Sequence, residues 1–127
     1  MNEHLAVRAR ATSNFELHSW LFMRVSGVLI ALLLLGHIAI MHIFHHVEDV
    51  TYEFAAGRLA NPFWRIYDLA LLGLALAHGL TGVRIALDDY IHSRGWRVLL
   101  KTVLWLTGLL FLAVGAFVLF TFEPVAS

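Results

Sequence analysis

The chain is organised around residues 78–90, which read HGLTGVRIALDDY. His78 stands in an apolar run that ends on the polar residues Asp88, Asp89 and Tyr90. At about 100° per residue on a helix, Asp89 lies on nearly the same face as His78, roughly 16 Å further along the axis. One face of this helix therefore carries a candidate metal ligand inside an apolar layer and a proton-carrying pair, Asp89 and Tyr90, at its edge. Such an arrangement suits the transfer of electrons and protons at the boundary of a membrane.

The composition predicts a membrane protein. Of the 127 residues, 60% are hydrophobic and 14% are charged, whereas about 25% of residues are charged in a soluble domain. The mean hydropathy is +0.76, and the formal net charge of zero gives no reason to expect nucleic-acid binding. The chain has no cysteine, which excludes a disulfide and any iron–sulfur cluster held by this chain alone. The start of the chain lacks a short apolar core with a small-residue cleavage site, so we expect no removable signal peptide.

The apolar runs predict an all-α integral membrane fold, with residues 1–127 as a single membrane-anchor domain. Residues 25–44 carry no formal charge, and about 20 such residues are enough to cross the hydrocarbon layer. Asn61-Pro62 is a helix-start signal, because Asn caps a helix and Pro is tolerated in its first turn. The predicted transmembrane helices span about 20–45, 63–91 and 97–122, with a cytoplasmic tail at 1–19, an outer loop at 47–61 and a cytoplasmic loop at 92–96.

The lysines and arginines predict the orientation of these helices. The positive-inside rule places the segments richer in Lys and Arg in the cytoplasm. One side of the predicted membrane carries most of them, namely Arg8, Arg10, Arg24, Arg84, Arg94, Arg97 and Lys101, while the other carries Arg58 and Arg65. We therefore expect a cytoplasmic N-terminus, an outer C-terminus and a multi-pass location in the inner (cytoplasmic) membrane.

Two histidines inside the predicted spans, His37 and His78, are candidate metal ligands. An ionisable group at this depth is costly to leave unpaired, which makes a functional role the default hypothesis. The alternative for each is a neutral histidine that is hydrogen-bonded to a neighbouring helix. His42, His45 and His46 also have the spacing of metal ligands, but their position at the end of the first span favours a solvated rim.

The remaining polar residues of the spans indicate partners. Asp68, near the outer edge of the second span, is interpreted as a local pair beside Arg65 rather than as a proton site. Three helices cannot easily surround a large cofactor and also shield His78 and Arg84 from lipid. We therefore infer a second membrane subunit and a peripheral subunit that contacts the basic cytoplasmic loop.

Several motifs together resemble a known family. They are His78, Gly82, Asp89 and Tyr90 on the second helix, RVSG at 24–27 on the first, and NPFWRIYD at 61–68. This pattern resembles the hydrophobic membrane anchor of succinate dehydrogenase (succinate:quinone oxidoreductase, complex II). That complex has two such anchors, the C-type and the D-type, and the resemblance is to the D-type. It covers most of the chain and implies three spans with the N-terminus inside.

The resemblance implies a role for each matching residue. His78 matches the axial histidine of heme b, whose second axial ligand comes from the companion C-type anchor. Tyr90 matches the tyrosine that hydrogen-bonds a quinone carbonyl, and Asp89 matches the acid beside the proton route. Arg24 stands where basic residues meet heme propionates or the quinone pocket. His37 stands where two-heme members have a ligand for a second, distal heme.

One departure from the family concerns the serine side of the quinone pocket. The other anchor of the family carries a serine and a histidine shortly before the arginine, at the positions of Trp20 and Met23 in this chain. The serine side of the pocket is therefore expected from the C-type anchor.

The resemblance also implies a four-subunit complex in the respiratory chain and the tricarboxylic acid cycle. A flavoprotein subunit oxidises succinate, and an iron–sulfur subunit on the cytoplasmic side passes electrons towards heme and quinone. The whole complex is expected to form oligomers such as a trimer. Bis-histidine ligation keeps iron six-coordinate and suits electron transfer.

Other functions compete with this interpretation. A Rieske-type [2Fe–2S] cluster, completed by partner cysteines, would use the same histidines. A cytochrome b anchor of another membrane dehydrogenase also has intramembrane histidines. An anchor without any redox centre and a small transporter subunit are the remaining alternatives.

Overall fold

The computed structural model of the protein describes residues 14–44 and 46–122, which form helices joined by short turns, without a strand. Helix α1 (Asn14–Ile38) continues directly into a π-helical turn, Ala39–Ile43. A 3-10 turn at Val47–Asp49 leads to a short helix, α2 (Tyr52–Ala60). The long helices α3 (Pro62–Tyr90) and α4 (Arg94–Thr121) follow.

Three of these helical segments are long and apolar enough to cross a membrane: Asn14–Ile43, Pro62–Tyr90 and Arg94–Thr121. The predicted all-α integral membrane fold is therefore confirmed. The helix that contains the first span is described from Asn14 onward, which is earlier than the predicted start of the span near residue 20; residues 14–19, NFELHS, contain no Gly or Pro to stop a helix. Residues 1–13 of the predicted tail and His45 lie outside the described residues.

Helix α2 occupies most of the segment predicted as the outer loop. The side chain of Thr51 caps it by accepting a hydrogen bond of 3.3 Å from the N–H of Phe54. Asn61 ends α2 through an N–H bond to the carbonyl of Arg58, and its side chain accepts from the N–H of Phe63 at 3.0 Å to begin α3. The predicted Asn61-Pro62 helix start is thus confirmed, and the same asparagine makes the sharp joint between α2 and α3.

Helix α3 is the central element, because both α1 and α4 pack against it. Small residues allow the close approach: a side chain added at Gly108 or Gly115 of α4 would collide with Leu80 or Leu72 of α3. Tyr67 of α3 donates its hydroxyl proton to the carbonyl of Leu33 in α1. These contacts set the rotation of α3 about its axis, and with it the direction of its polar side chains.

Little of the chain is buried within itself. Among the described residues with described side chains, only Ser26, Ala56 and Gly108 are fully buried. A soluble domain of this size would bury a continuous apolar core. The exposed leucines, valines and phenylalanines of the spans therefore face lipid or another membrane subunit.

Candidate functional site

His78 lies near the middle of α3 and contacts α1 directly. Its Nδ1 atom is 2.9 Å from the Oγ of Ser26. The hydroxyl of Ser26 also donates to the carbonyl oxygen of Phe22, one turn earlier in α1 and 2.5 Å away. Ser26 is 2% exposed, so both of these hydrogen bonds are screened from water by the two helices.

The hydrogen bonds of Ser26 determine where the His78 ring carries its proton. A serine hydroxyl has one proton to donate and two lone pairs to accept with. In the arrangement in which that proton goes to Phe22, Nδ1 of His78 is protonated and donates to Ser26. The lone pair of the neutral ring then lies on Nε2, which has no hydrogen-bond partner within residues 14–44 and 46–122. A neutral imidazole with Nδ1–H held and Nε2 free is a form that binds metal ions.

Two glycines leave room between α1 and α3 beside His78. A Cβ atom at Gly27 would lie 3.4 Å from Cε1 of His78, and one at Gly82 would lie 3.5 Å from Cε of Met23. Both are ordinary van der Waals distances, so the imidazole ring faces α1 at Gly27 and the Met23 side chain faces α3 at Gly82. The hydrogen bond to Ser26 fixes the orientation of the ring.

A cavity of about 650 Å³ opens between α1 and the C-terminal end of α3. Its volume is in the range of small-molecule sites, about 300–1,000 Å³. Five charged side chains of α1 and α3 line it together, Glu16, Arg24, Arg84, Asp88 and Asp89, with Phe15, Ser19, Trp20, Met23 and Ile85 completing the wall. Arg84 is six residues from His78, which places it about 9 Å further along the axis of α3. The cavity therefore adjoins the histidine on the same interface.

Neutral groups of α1 hold the two arginines of the cavity. The Nη2 of Arg84 donates to Oγ of Ser19 at 3.3 Å, and its guanidinium carbon lies 4.9 Å from the centre of the Phe15 ring. The guanidinium carbon of Arg24 lies 4.3 Å from the centre of the Trp20 ring. Neither arginine forms an ion pair within the part of the chain that the structure describes. Both positive charges are therefore available to an anionic or carbonyl group in the cavity.

The two aspartates at the end of α3 differ in their partners. Asp88 lies 2.5 Å from Nζ of Lys101 and 3.8 Å from Nε of Arg97, both on α4. Asp89 has no ion pair among the described residues, although its side chain also lines the cavity. Asp88 therefore ties α3 to α4, while the carboxylate of Asp89 is available for other interactions.

Tyr90 does not belong to the wall of the cavity. Its side chain is 80% exposed, because one further residue turns the helix by about 100° away from Asp89. Any ligand that contacts both residues must extend from the cavity onto this outer surface of α3.

His37 belongs to a separate polar cluster at the other end of the α1–α3 interface. Its Nδ1 lies 3.4 Å from Oδ1 of Asp68, and the same oxygen accepts a 2.7 Å hydrogen bond from Nη2 of Arg58. The side chain of Arg58 is 7% exposed, and its guanidinium carbon lies 4.8 Å from the centre of the Trp64 ring. Asp68 therefore pairs with Arg58 of α2 rather than with the neighbouring Arg65, which donates to the carbonyl of Leu59.

The two candidate ligand histidines are not parts of one metal site. Gly27, which contacts His78, precedes His37 by ten residues, or about 15 Å along α1. The described residues contain no group of three or more His, Cys, Asp or Glu side chains that could hold a metal ion by itself. His42 and His46 lie at the end of the first span, and His46 is exposed, as expected of a rim. Any metal centre at His37 or His78 therefore needs further ligands from a cofactor or a partner.

Comparison with known families identifies the kind of protein. Residues 1–121 match the family model described as succinate dehydrogenase/fumarate reductase transmembrane subunit. The chain belongs to this family. A search of curated proteins gave no match. The predicted resemblance is thus confirmed at the level of the family, and the chain is a membrane subunit of an oxidoreductase complex.

Within this family, heme and quinone are the groups that the sequence resemblance implies, and the residues present fit both. His78 offers one free ring nitrogen with its other nitrogen already satisfied by Ser26. The cavity offers two positive charges, suited to the carboxylates of heme or to a quinone oxygen, and the carboxylate of Asp89.

The sequence pattern predicts some of these residues and misses others. His78, Arg24 and Asp89 are predicted from it, and they lie along one helix interface. Ser26 stands out in the sequence only as part of a motif, and Arg84 only for its charge. An arginine inside a span six residues after His78 is a usable signal, because such a charge needs a partner or a ligand. The role of Ser26 depends on helix rotation, which the sequence does not contain.

Proposed function

We propose that this chain is the D-type membrane anchor of succinate:quinone oxidoreductase, and that Nε2 of His78 is an axial ligand of heme b. The observation that carries the proposal is the asymmetry of the His78 ring. Its Nδ1 is satisfied by a buried serine of the same chain, while its Nε2 has no partner in the described residues. A histidine serving only as packing would gain by satisfying both nitrogens within the protein.

The second ligand and much of the surrounding wall come from a companion C-type anchor. This follows from the limited burial of the three spans, since they do not enclose His78 on every side. When bound, heme b supplies a one-electron carrier within the apolar layer. Residues of this chain would hold it: His78 at the iron, and Arg24 and Arg84 as positive charges that could face its carboxylates or a quinone oxygen in the adjoining cavity.

The cavity at the end of α3 forms this chain's part of a quinone site. Reduction of a quinone takes two electrons and two protons, so the site needs a group that positions the carbonyl and a group that carries protons. Tyr90 supplies a hydroxyl donor to the quinone carbonyl, and Asp89 relays protons from the cytoplasmic side. At the two family positions, Trp20 and Met23 line this space without hydroxyl or imidazole groups, and the hydroxyl of the neighbouring Ser19 accepts from Arg84. The serine side of the pocket is therefore assigned to the C-type anchor.

The orientation of the complex follows from the charges. Arg94, Arg97 and Lys101 lie at the end of the membrane close to Asp89, where they face the cytoplasm under the positive-inside rule. The iron–sulfur subunit docks on this side and receives electrons from the flavoprotein subunit that oxidises succinate. Electrons then pass from the docking surface to the cavity and His78. The complex lies in the inner membrane.

His37 is a ligand for a second, distal heme in this proposal. Its buried Nδ1 lies 3.4 Å from Oδ1 of Asp68 and has no hydrogen-bond partner among the described residues. A ligand histidine commonly has a carboxylate beside its other nitrogen. The cluster with Arg58 would then hold the orientation of His37. The alternative is that His37 belongs only to the ion-pair cluster around Asp68. Counting the hemes per complex distinguishes the two, because His37 is a ligand only if a second heme is present.

The deciding experiment is a dithionite-reduced minus oxidised spectrum of the complex purified through this chain, with heme counted per complex. A b-type α band is expected, with one heme assigned to His78 or two if His37 is also a ligand. His78→Ala should remove a heme band and leave succinate-to-dye reduction by the peripheral subunits intact. His92→Ala, a change at an exposed histidine of the second loop, is the matched control and should leave the spectrum unchanged.

The opposite results have definite meanings. Retention of every heme in His78→Ala would refute the ligand assignment. Absence of heme together with an additional iron–sulfur EPR signal would replace heme by a [2Fe–2S] cluster with partner cysteines. Absence of both signals would leave an anchor that holds quinone alone.

A further inference from the structure

The hydroxyl of Ser26 is buried although it belongs to neither the iron ligands nor the quinone contacts. It is the one polar side chain among the described residues that is fully buried. A hydroxyl in this position is costly unless both its donor and acceptor capacities are used. Here both are used, one within α1 and one across to α3.

The direction of these two hydrogen bonds gives Ser26 a specific effect. Serine in a membrane helix often donates to the carbonyl four residues earlier, and Ser26 does so with Phe22. That bond consumes the only proton of the hydroxyl and turns a lone pair towards α3. The His78 ring can satisfy this lone pair only by presenting a protonated Nδ1.

We propose that Ser26 is a positioning residue for the metal-binding nitrogen of His78. It locks the ring into the tautomer with Nδ1–H, so that Nε2 points its lone pair to the iron. This inference rests on the proposed function, because it presumes that His78 binds heme. Ser26 itself touches neither the iron nor the quinone.

The hydrogen bond also affects the electronic properties of the ligand. An acceptor at Nδ1–H raises the basicity of Nε2, and a more basic ligand favours ferric over ferrous iron. Loss of the acceptor should therefore raise the midpoint potential of the heme. A threefold change in the relative binding of the two oxidation states corresponds to about 30 mV, at 59 mV per tenfold for one electron.

Gly27 leaves room beside the His78 ring. A Cβ atom at Gly27 would lie 3.4 Å from Cε1 of His78, which is an ordinary van der Waals distance. A 180° flip of the ring exchanges Nδ1 with Cδ2 and Nε2 with Cε1, so it would break the hydrogen bond to Ser26 and turn Nε2 towards Gly27. The hydrogen bond to Ser26 therefore selects the present orientation of the ring.

The test is a redox titration of the heme in the purified complex with Ser26→Ala. The expected result is a rise of the midpoint potential of about 30 mV or more, from a threefold or larger effect, with a partial loss of heme per complex. Ser26→Thr keeps the hydroxyl and should restore the wild-type potential. Thr81→Ala is the matched control, because Thr81 donates only to Ala77 of its own helix, at 2.7 Å, one turn from His78.

The outcomes distinguish a failure of the Ser26 role from a failure of the proposed function. An unchanged potential and heme content in Ser26→Ala, alongside heme loss in His78→Ala, would overturn the role of Ser26 while leaving the proposed function intact. Heme retention in His78→Ala would overturn the proposed function itself. If Ser26→Ala does not assemble, Ser26→Cys provides a weaker acceptor of similar size and should give a potential above wild type; an equal potential would refute the inference.

Discussion

Asp68→Asn should destabilise the protein by leaving the charge of Arg58 without its counter-ion. The side chains of Arg58 and Asp68 are 7% and 18% exposed, and the two charged groups are 2.7 Å apart. Removing one partner of a buried ion pair costs about 3–5 kcal/mol. We expect about 3 kcal/mol, at the low end of this range, because Asn still accepts a hydrogen bond and Asp68 retains some exposure.

The free energy of unfolding can be measured by titrating the purified protein with SDS in mixed micelles. Tryptophan fluorescence is a suitable signal, since Arg58 stacks on Trp64 and α2 must leave this position on unfolding. Asp49→Asn, which changes a carboxylate at an exposed position in the 3-10 turn, is the matched control and should alter stability by less than about 0.5 kcal/mol.

A double variant tests the reasoning behind the magnitude. Replacing a buried ion pair by apolar side chains of similar volume is often neutral or stabilising. Arg58→Met combined with Asp68→Leu should therefore recover most of the stability that Asp68→Asn loses. If Asp68→Asn were as stable as Asp49→Asn, or if the double variant were less stable than the single one, the buried-charge explanation would be wrong.

Three further perturbations test the packing and the cavity. Gly108→Ala should cost about 1–3 kcal/mol in the same unfolding assay, because its Cβ would collide with Leu80. Gly73→Ala, where nothing lies within 4 Å, should be neutral or stabilising, and equal stability of the two variants would contradict this account of α3–α4 packing. Tyr90→Phe should lower kcat/KM for quinone roughly fivefold, as expected for a lost hydrogen bond of about 1 kcal/mol, with heme retained; a wild-type quinone rate would argue against the contact. Arg84→Gln should lower the same quantity roughly tenfold through loss of a charge-assisted hydrogen bond, and a wild-type quinone rate would exclude Arg84 from the site.

The transmembrane helices can be predicted because each has a signal in the local sequence. Runs of uncharged apolar residues indicate the spans, and Asn61-Pro62 indicates the start of α3. Helix α2 has no such signal, because its nine residues include the charged Glu53 and Arg58 and resemble a polar loop. It forms because Thr51 and Asn61 cap its two ends and because Arg58 is drawn to Asp68.

The partners of the polar side chains cannot be predicted in the same way. The sequence favours a pair between Asp68 and its neighbour Arg65, because helical spacing is all that it shows. That prediction is wrong: the actual partner, Arg58, reaches Asp68 because the chain turns sharply at Asn61. Ser26 and His78 are likewise 52 residues apart, and their contact depends on how far each helix is rotated.

The positions of the polar groups along α3 show how a single interface could serve the proposed function. Asp68, His78 and Asp89 are separated by ten and eleven residues, which is about 15 Å and 16 Å along the axis. Together they extend over about the thickness of the hydrocarbon layer, roughly 30 Å. Each faces α1, where His37, Ser26 and the arginine cavity respectively meet it.

Helix α4 has a different part in this arrangement. Its described residues provide Lys101 and Arg97 to Asp88 and small residues to α3, but no side chain that pairs with His78 or Asp68. The chemistry of the chain is therefore concentrated in α1 and α3, while α4 fixes α3 from the other side. Under the proposed function, a companion anchor that completes heme and quinone sites is expected to approach along the α1–α3 interface, because that is where the free nitrogen of His78 and the free charges of the cavity lie.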